Sequence, residues 1–265
     1  VIEDVPKTGE SNMNIDRAIL ASCGSGESLP TLRLYSWEQP TLTVGYAQDF
    51  AKEIDINRCQ KLGIEIVRRP TGGRALLHNH EVTYSFTAPI PHNKFPPSLL
   101  GAYKTVAKAL LEGLKEVGVY GAVLASGKKT TIGKHSFHSP SCLSSINHLE
   151  IEVQGAKLVG SAQRRTKKAF LQHGSILLDC DRGLVNSLFK FETDDARCRS
   201  MEILNHKVIT LSECLGKSMT RKEVFKALIK GFSHTLKGNW VLGHLNSFEL
   251  IKCTSNSYSK ENINI

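Results

Sequence analysis

The sequence predicts a mixed α and β protein in which a β-rich centre is bracketed by helices. Three observations predict it. Short strand-forming runs recur between Thr31 and Leu178, a sustained helical repeat interrupts them from Leu99 to Val117, and no apolar stretch approaches the roughly 18 residues that span a bilayer. With 265 residues, 40% of them hydrophobic and 22% charged, the chain can bury a core without staples. The N-terminal region lacks a basic segment followed by an apolar one, so neither a secretory signal nor an integral membrane protein is expected.

In chain order, Asn14–Ser22 carries helical spacing at Ile15, Ala18 and Ile19 and ends in the Gly24–Glu27 turn. Thr31–Trp37 and Thr41–Tyr46 read as strands, and Ala51–Leu62 as a helix feeding the strand Ile64–Arg68. Two more strands, Ala75–His78 and Val82–Ala88, follow the turn Pro70-Thr71-Gly72-Gly73. Pro89–Pro97 is a loop, and Leu99–Val117 repeats apolar residues at i, i+3 and i+4 through Leu100, Tyr103, Val106, Ala107, Leu110, Leu111 and Leu114. Gly127–Ser141 is polar and aperiodic and reads as a loop. The strands Leu149–Val153, Lys157–Ser161 and Ala169–Leu178 come next, then helices at Gly183–Phe189, Leu211–Leu215 and Thr220–Leu236. No linker divides the chain, so residues 1–250 read as one domain with a core of about 30–216, and 251–265 as a disordered Ser/Asn-rich tail.

Thirty-four Lys and Arg against twenty-five Asp and Glu give a net charge of +9, which favours encounters with acidic partners without choosing among them. The seven cysteines are odd in number, scattered and never spaced C-x-x-C, so neither a disulfide framework nor a zinc site is indicated and a reducing, cytoplasmic setting fits. Gly127–Lys134 fails as a phosphate loop, because five residues separate its glycines and His135 stands where Ser or Thr would bind magnesium. His80-Glu81 has no second histidine at metalloprotease spacing. No metal and no cofactor are expected.

The informative segment is Arg68-Arg69-Pro70-Thr71-Gly72-Gly73-Arg74-Ala75-Leu76-Leu77-His78. A strand delivers two arginines into a tight turn whose paired glycines permit positive φ and close backbone approach, as an anion cradle requires. A Gly-Gly hairpin with exposed arginines reads equally well. A second segment, Gly155-Ala156-Lys157-Leu158-Val159-Gly160-Ser161-Ala162-Gln163-Arg164-Arg165, precedes Leu171-Gln172-His173-Gly174-Ser175-Ile176-Leu177-Leu178.

Together these segments closely resemble the biotin/lipoate protein ligase catalytic-domain superfamily, in its octanoyltransferase branch from Gram-positive and related bacteria. The resemblance runs from Asn12-Met13-Asn14-Ile15-Asp16, through Gln39-Pro40-Thr41 and Gly45-Tyr46, to about Asp181, and more loosely to Gly216. It implies an α/β (α+β) fold, a central mixed or antiparallel sheet flanked by helices, with a medium-chain acyl tunnel beside Thr71–His78. In that branch a cysteine lies eight residues before a glutamate and fifteen before a lysine. Cys142, Glu150 and Lys157 keep both spacings, so the resemblance makes Cys142 the acyl-thioester nucleophile and Lys157 the group that lowers its pKa. The chemistry agrees, because thiolate rather than thiol attacks a thioester and a nearby cation stabilises it. Proteobacterial octanoyltransferases place the nucleophile three residues before the His-Gly pair, where this chain has Phe170. Asn79 stands where relatives often carry aspartate.

The resemblance therefore implies octanoyl transfer from an octanoyl-acyl carrier protein, through Cys142, to a lysine of a lipoyl domain or glycine-cleavage H-type protein, by a monomer acting on neither nucleic acid nor membrane. Arg69, Thr71, Gly72, Gly73, Arg74 and His78 would shape the entrance. Gly160, Ser161 and Ala162 would approach the thioester carbonyl with backbone N–H donors, and His173 and Gly174 would line the site. The rivals on the same fold are an ATP-dependent lipoate–protein ligase, which needs no cysteine, and a lipoyl amidotransferase that also uses one. A basic nucleic-acid module would need aromatics interleaved with its basic residues, and aromatics make up only 7% of this chain.

Overall fold

A computed structural model of the chain describes residues 1–125 and 150–254. In chain order its elements are β1 (Ile2–Glu3), α1 (Gly9–Ser25), β2 (Thr31–Tyr35), β3 (Thr41–Val44), α2 (Phe50–Glu53), α3 (Ile56–Lys61), β4 (Glu65–Arg68), β5 (Leu76–His78), β6 (Glu81–Pro89), α4 (Leu99–Glu116), β7 (Ala122–Leu124), β8 (Ile151–Val153), β9 (Ala156–Arg165), β10 (Ala169–Leu177), α5 (Arg182–Ser187), α6 (Asp194–Lys207), α7 (Leu211–Leu215), α8 (Arg221–Leu236) and α9 (Ser247–Thr254). A larger sheet runs β1-β2-β6-β10-β9-β8-β7, parallel only between β1 and β2, and a smaller one runs β4-β3-β5, with β3 and β4 parallel. The expected α/β architecture with a mixed sheet is present. No helix among the described residues is long and apolar enough to cross a membrane.

The large sheet buries two chemically different faces. On β6, Val82, Tyr84, Phe86 and Ala88 join Leu32, Leu34, Val159, Phe170 and Ile176 in a core closed by α4 and α8. Thr83, Ser85 and Thr87 alternate with them and are also buried, beneath α1. Strands with one polar face normally show it to water. Here helix α1, capped by the Thr8 hydroxyl at its start and by left-handed Gly26 at its end, covers it instead.

What fastens α1 to that polar face is Arg33 on β2. Its side chain and that of Asp16 are both 0% exposed, and Nη1 donates to the Asp16 carboxylate at 3.0 Å. The guanidinium also donates to the Asn12 side-chain oxygen at 2.6 Å, to Asp4 at 3.0 Å, and lies 3.9 Å above the Tyr35 ring. Tyr35 in turn donates its hydroxyl to Asp16 at 3.0 Å. Every charge is thus paired, as burial at this depth demands.

Several sequence expectations shift at their edges. The helix expected over Ala51–Leu62 is two short ones, because Ile54 is extended and bridges Phe189 while Asp55 starts a new helix by accepting from the Arg58 N–H. Helix α6 was not expected; among its residues only Ser200 and Leu204 are buried, which leaves little apolar periodicity to read. The expected disordered tail from 251 is corrected for its first residues: 251–254 complete α9, which packs on α1, and 255–265 lie outside the described residues.

Arg33→Met is expected to cost about 3–5 kcal/mol, because it strands a buried carboxylate. Urea unfolding of Arg33→Met, Asp16→Asn and the double variant checks it: the double should lose clearly less than the sum of the singles.

Candidate active site

The polar face of the large sheet, the small sheet and α1 enclose a cavity of about 530 Å³ including its mouth. Met13 of α1, Tyr35 of β2 and Trp37 wall it together with Thr43 and Leu76 of the small sheet. Of the residues expected from sequence, Arg69, Gly73, His78, Gly160, Ser161, Ala162, His173 and Gly174 line it, and Glu150 joins them. Thr71, Gly72, Arg74 and Lys157 do not. Thr71 is buried behind the wall, Gly72 is exposed, and Arg74 is half-buried. Cys142 lies outside the described residues.

The turn after β4 is held open by its own arginines. Arg69, 6% exposed, donates to the carbonyls of Gly72 and Arg74 at 2.8 Å and of Thr43 at 3.2 Å. Arg68 donates to the carbonyls of Gly45 and Tyr46 at 2.8 Å and of Gln48 at 3.2 Å. Both arginines therefore brace backbone, and the reading of an exposed-arginine hairpin gives way to a pinned loop. Gly73 takes φ +97°, open to glycine but costly for other residues, and a Cβ there would meet the Arg69 guanidinium at 2.7 Å.

Two histidines face the cavity, each clamped at both nitrogens. His173 sits 3.1 Å through Nδ1 from the Asp16 carboxylate and 2.7 Å through Nε2 from the Thr71 hydroxyl. Burial lowers the His173 pKa, outweighing the neighbouring carboxylate, and keeps the ring neutral. Burial alone would raise Asp16, but the hydrogen bond to His173 and the charge of Arg33 outweigh it and hold the carboxyl below its usual value. An ionised Asp16 can only accept, so Nδ1 carries the proton and Nε2 accepts from Thr71. The turn is thereby latched to the sheet through Thr71. His78 is held in the same style, between Thr43 at 2.9 Å and Glu81 at 3.0 Å, with Trp37 stacked on it at 4.2 Å. The indole N–H donates to Glu81 and Thr83 at 2.8 Å, and Thr83 also donates to Glu81.

Lys157 is no surface lysine. It is 0% exposed, and its ammonium meets the cavity-lining Glu150 carboxylate at 2.5 Å. The β8–β9 register shifts at Ile151/Glu152, the kind of bulge that turns a side chain out of regular alternation. Behind the lysine, the Ile209 N–H donates to its carbonyl at 3.0 Å. Gly160 supplies the room: a Cβ there would lie 2.9 Å from Lys157 Cε.

Sequence reasoning found the motif residues but missed the groups that hold them, namely Arg33, Tyr35, Trp37, Thr43 and Glu81. A charge inside a strand-forming run, as at Arg33 within Thr31–Trp37, is the signal that could have flagged one of them.

Because the His173 pKa is lower in the folded state, the stability it contributes is present above the ordinary histidine pKa and is lost as pH falls below it. His173→Gln, which keeps a donor and an acceptor without titrating, should flatten the fall of thermal stability as pH drops below about 6.5; melting curves across that range check it.

Residues 8–233 match the family model described as the lipoyl protein ligase A/B catalytic domain. The chain is 37% identical over 238 residues to octanoyltransferase LipM of Carboxydothermus hydrogenoformans, spanning 90% of this chain and 86% of that protein. It is 38% identical over 229 residues to octanoyltransferase LipM of Brevibacillus brevis, spanning 85% and 82%. Solved structures share the fold at lower identity. A lipoate-protein ligase A bound with ATP matches with TM-score 0.75 and 22% identity over 95% of this chain and 91% of that one. A chain from the bi-partite lipoate protein ligase system of Thermoplasma acidophilum matches with TM-score 0.75 and 20% identity over 95% and 89%. The pinned loop, the buried lysine and these matches agree: the chain belongs to the lipoyl protein ligase A/B catalytic domain family.

Proposed function

We propose that this protein is an octanoyltransferase of lipoate biosynthesis, which moves an octanoyl group from an acyl carrier protein to a lysine of a lipoyl-type acceptor domain. The observation that carries this reading is the identity of 36–38% to octanoyltransferases over at least 85% of the chain. The site supports it, with a bounded cavity beside the pinned loop and a buried lysine paired with Glu150 of its lining.

Two steps describe the chemistry. The Cys142 thiolate attacks the carbonyl of the donor thioester; the new C–S bond forms as the old one breaks, and the donor thiolate leaves and takes up a proton. The acceptor lysine, as free amine, then attacks the Cys142 thioester, forms the amide, loses a proton and releases the cysteine thiol. In the first step Lys157 stabilises the thiolate, with Glu150 compensating its burial between turnovers. Cys142 is the preferred nucleophile because the six cysteines among the described residues are poorly suited. None of the six lines the cavity. Burial raises the thiol pKa of Cys23 to about 12, of Cys59, Cys180 and Cys253 to about 11, and lifts that of Cys214. The acceptor is a lipoyl domain or an H-type protein, and the catalytic unit is a single domain acting as a monomer in the cytoplasm.

Incubation with octanoyl-carrier and no ATP should give a protein whose mass increases by one octanoyl group, mapped to the peptide containing Cys142 and absent from Cys142→Ala. Strict dependence on ATP with free octanoate would place the chain with the ligases instead. Lys157→Ala should slow the first half-reaction at least tenfold, the effect of about one pKa unit on a nucleophilic thiol. Single-turnover measurement of the two half-reactions checks this, and a defect confined to the second would reassign the lysine to deprotonating the acceptor amine.

A further inference from the structure

Beside the acyl cavity, on the same face of the large sheet, lies a second depression of about 880 Å³ including its open mouth. Helix α1 supplies Arg17, Leu20, Ala21 and Gly24, residues at i, i+3, i+4 and i+7 that share one helix face. The β9–β10 hairpin supplies Arg164, Thr166, Lys167 and Lys168, and Pro70 closes the end nearest the pinned loop. Four of the lining residues are cations and none is an acid. Between the charges the floor is apolar: Leu20 is packed on Leu171 and Ala169. A positive rim over an apolar floor complements an acidic amphipathic helix.

The groove is tied to the cavity by short links. Ala162 lines the cavity and Arg164 lines the groove, and residues two apart on a strand share a face about 7 Å apart. Arg164 also donates to the Pro70 carbonyl at 2.8 Å, one residue before Thr71 latches on His173. A body seated in the groove therefore lies beside the cavity, at the Ala162 edge of its lining, and not over it. That offset separates the two partners of the proposed reaction. The acceptor presents its amine on only a four-carbon lysine stem, so its body must sit over the mouth itself. The donor carries its acyl group on a long flexible pantetheine arm, and its body can sit to one side.

The geometry points to this groove as the docking site of the acyl-carrying donor, through an acidic amphipathic helix laid between α1 and the β9–β10 hairpin. The inference rests on the proposed function and deepens it. Arg17 and Arg164 anchor the surface to the site, and the exposed Lys167 and Lys168 at the hairpin tip steer the encounter.

Lys167→Glu/Lys168→Glu tests it, since both side chains are exposed and lie outside the catalytic machinery. Against octanoyl-carrier the double variant should show KM raised about tenfold with kcat held, and a flatter dependence of KM on salt than the parent. Its KM for the acceptor domain and its rate with octanoyl-pantetheine, a donor without a protein body, should be unchanged. A carrier KM equal to the parent's overturns the inference and leaves the function standing. A rise confined to the acceptor overturns it too and gives the groove to that partner. Fluorescence anisotropy with labelled holo-carrier reads the same surface without turnover, so tight binding lost in the double variant would support the docking site even if the parent transferred from neither donor, the result that would sink the proposed function. Should the double variant melt early, Lys167→Gln/Lys168→Gln gives the same comparison with a smaller expected rise.

Discussion

The structure depends on one buried ionic contact, the Arg33 guanidinium of β2 against Asp16 of α1. Neither side chain reaches solvent, so neither charge tolerates the loss of the other. The consequence is positional. Apolar packing of Met13 and Leu20 holds α1 against the sheet, and the directional hydrogen bonds from Arg33 to Asp16 and Asn12 add a specific register to it. Asp16 then orients His173, His173 holds Thr71, and Thr71 fixes the turn that forms one wall of the cavity.

The same economy governs the rest of the site. Each cavity histidine is held by one carboxylate and one hydroxyl, which orients the ring as part of the cavity wall. Trp37, fixed through its indole N–H and stacked on His78, gives the cavity a rigid apolar side against which an acyl chain could pack. Lys157 is the exception, an ammonium on a long flexible stem that is buried and paired with the cavity-lining Glu150. Burial with Glu150 on one side and the open flank of Gly160 on the other removes most of that flexibility.

Charge is distributed to match. The net positive charge of the chain becomes informative only where it concentrates beside the cavity, in a groove with four cations and no acid. That groove adjoins the cavity through Ala162 and Arg164 of one strand and through the Arg164 hydrogen bond to the Pro70 carbonyl, so charge and cavity share one side of the molecule.

By itself the sequence determined the mixed α and β class, the long helix α4 from its apolar repeat, and the two motif segments, whose glycines and paired basic residues stay adjacent in the fold because they are adjacent in the chain. Through the family resemblance of those segments it also marked Lys157 of β9 and Glu150, just before β8, as one constellation. What it could not show is that β6, whose polar and apolar residues alternate like those of a strand with one wet face, is buried on both sides, since that depends on where α1 lands. Nor could it show that Arg68 and Arg69 spend their charge on backbone carbonyls, or that Asp16 and His173 meet across 157 positions of chain. Those are long-range pairings of single polar groups, and period and propensity encode only which face of an element is apolar, not which distant partner satisfies its polar one.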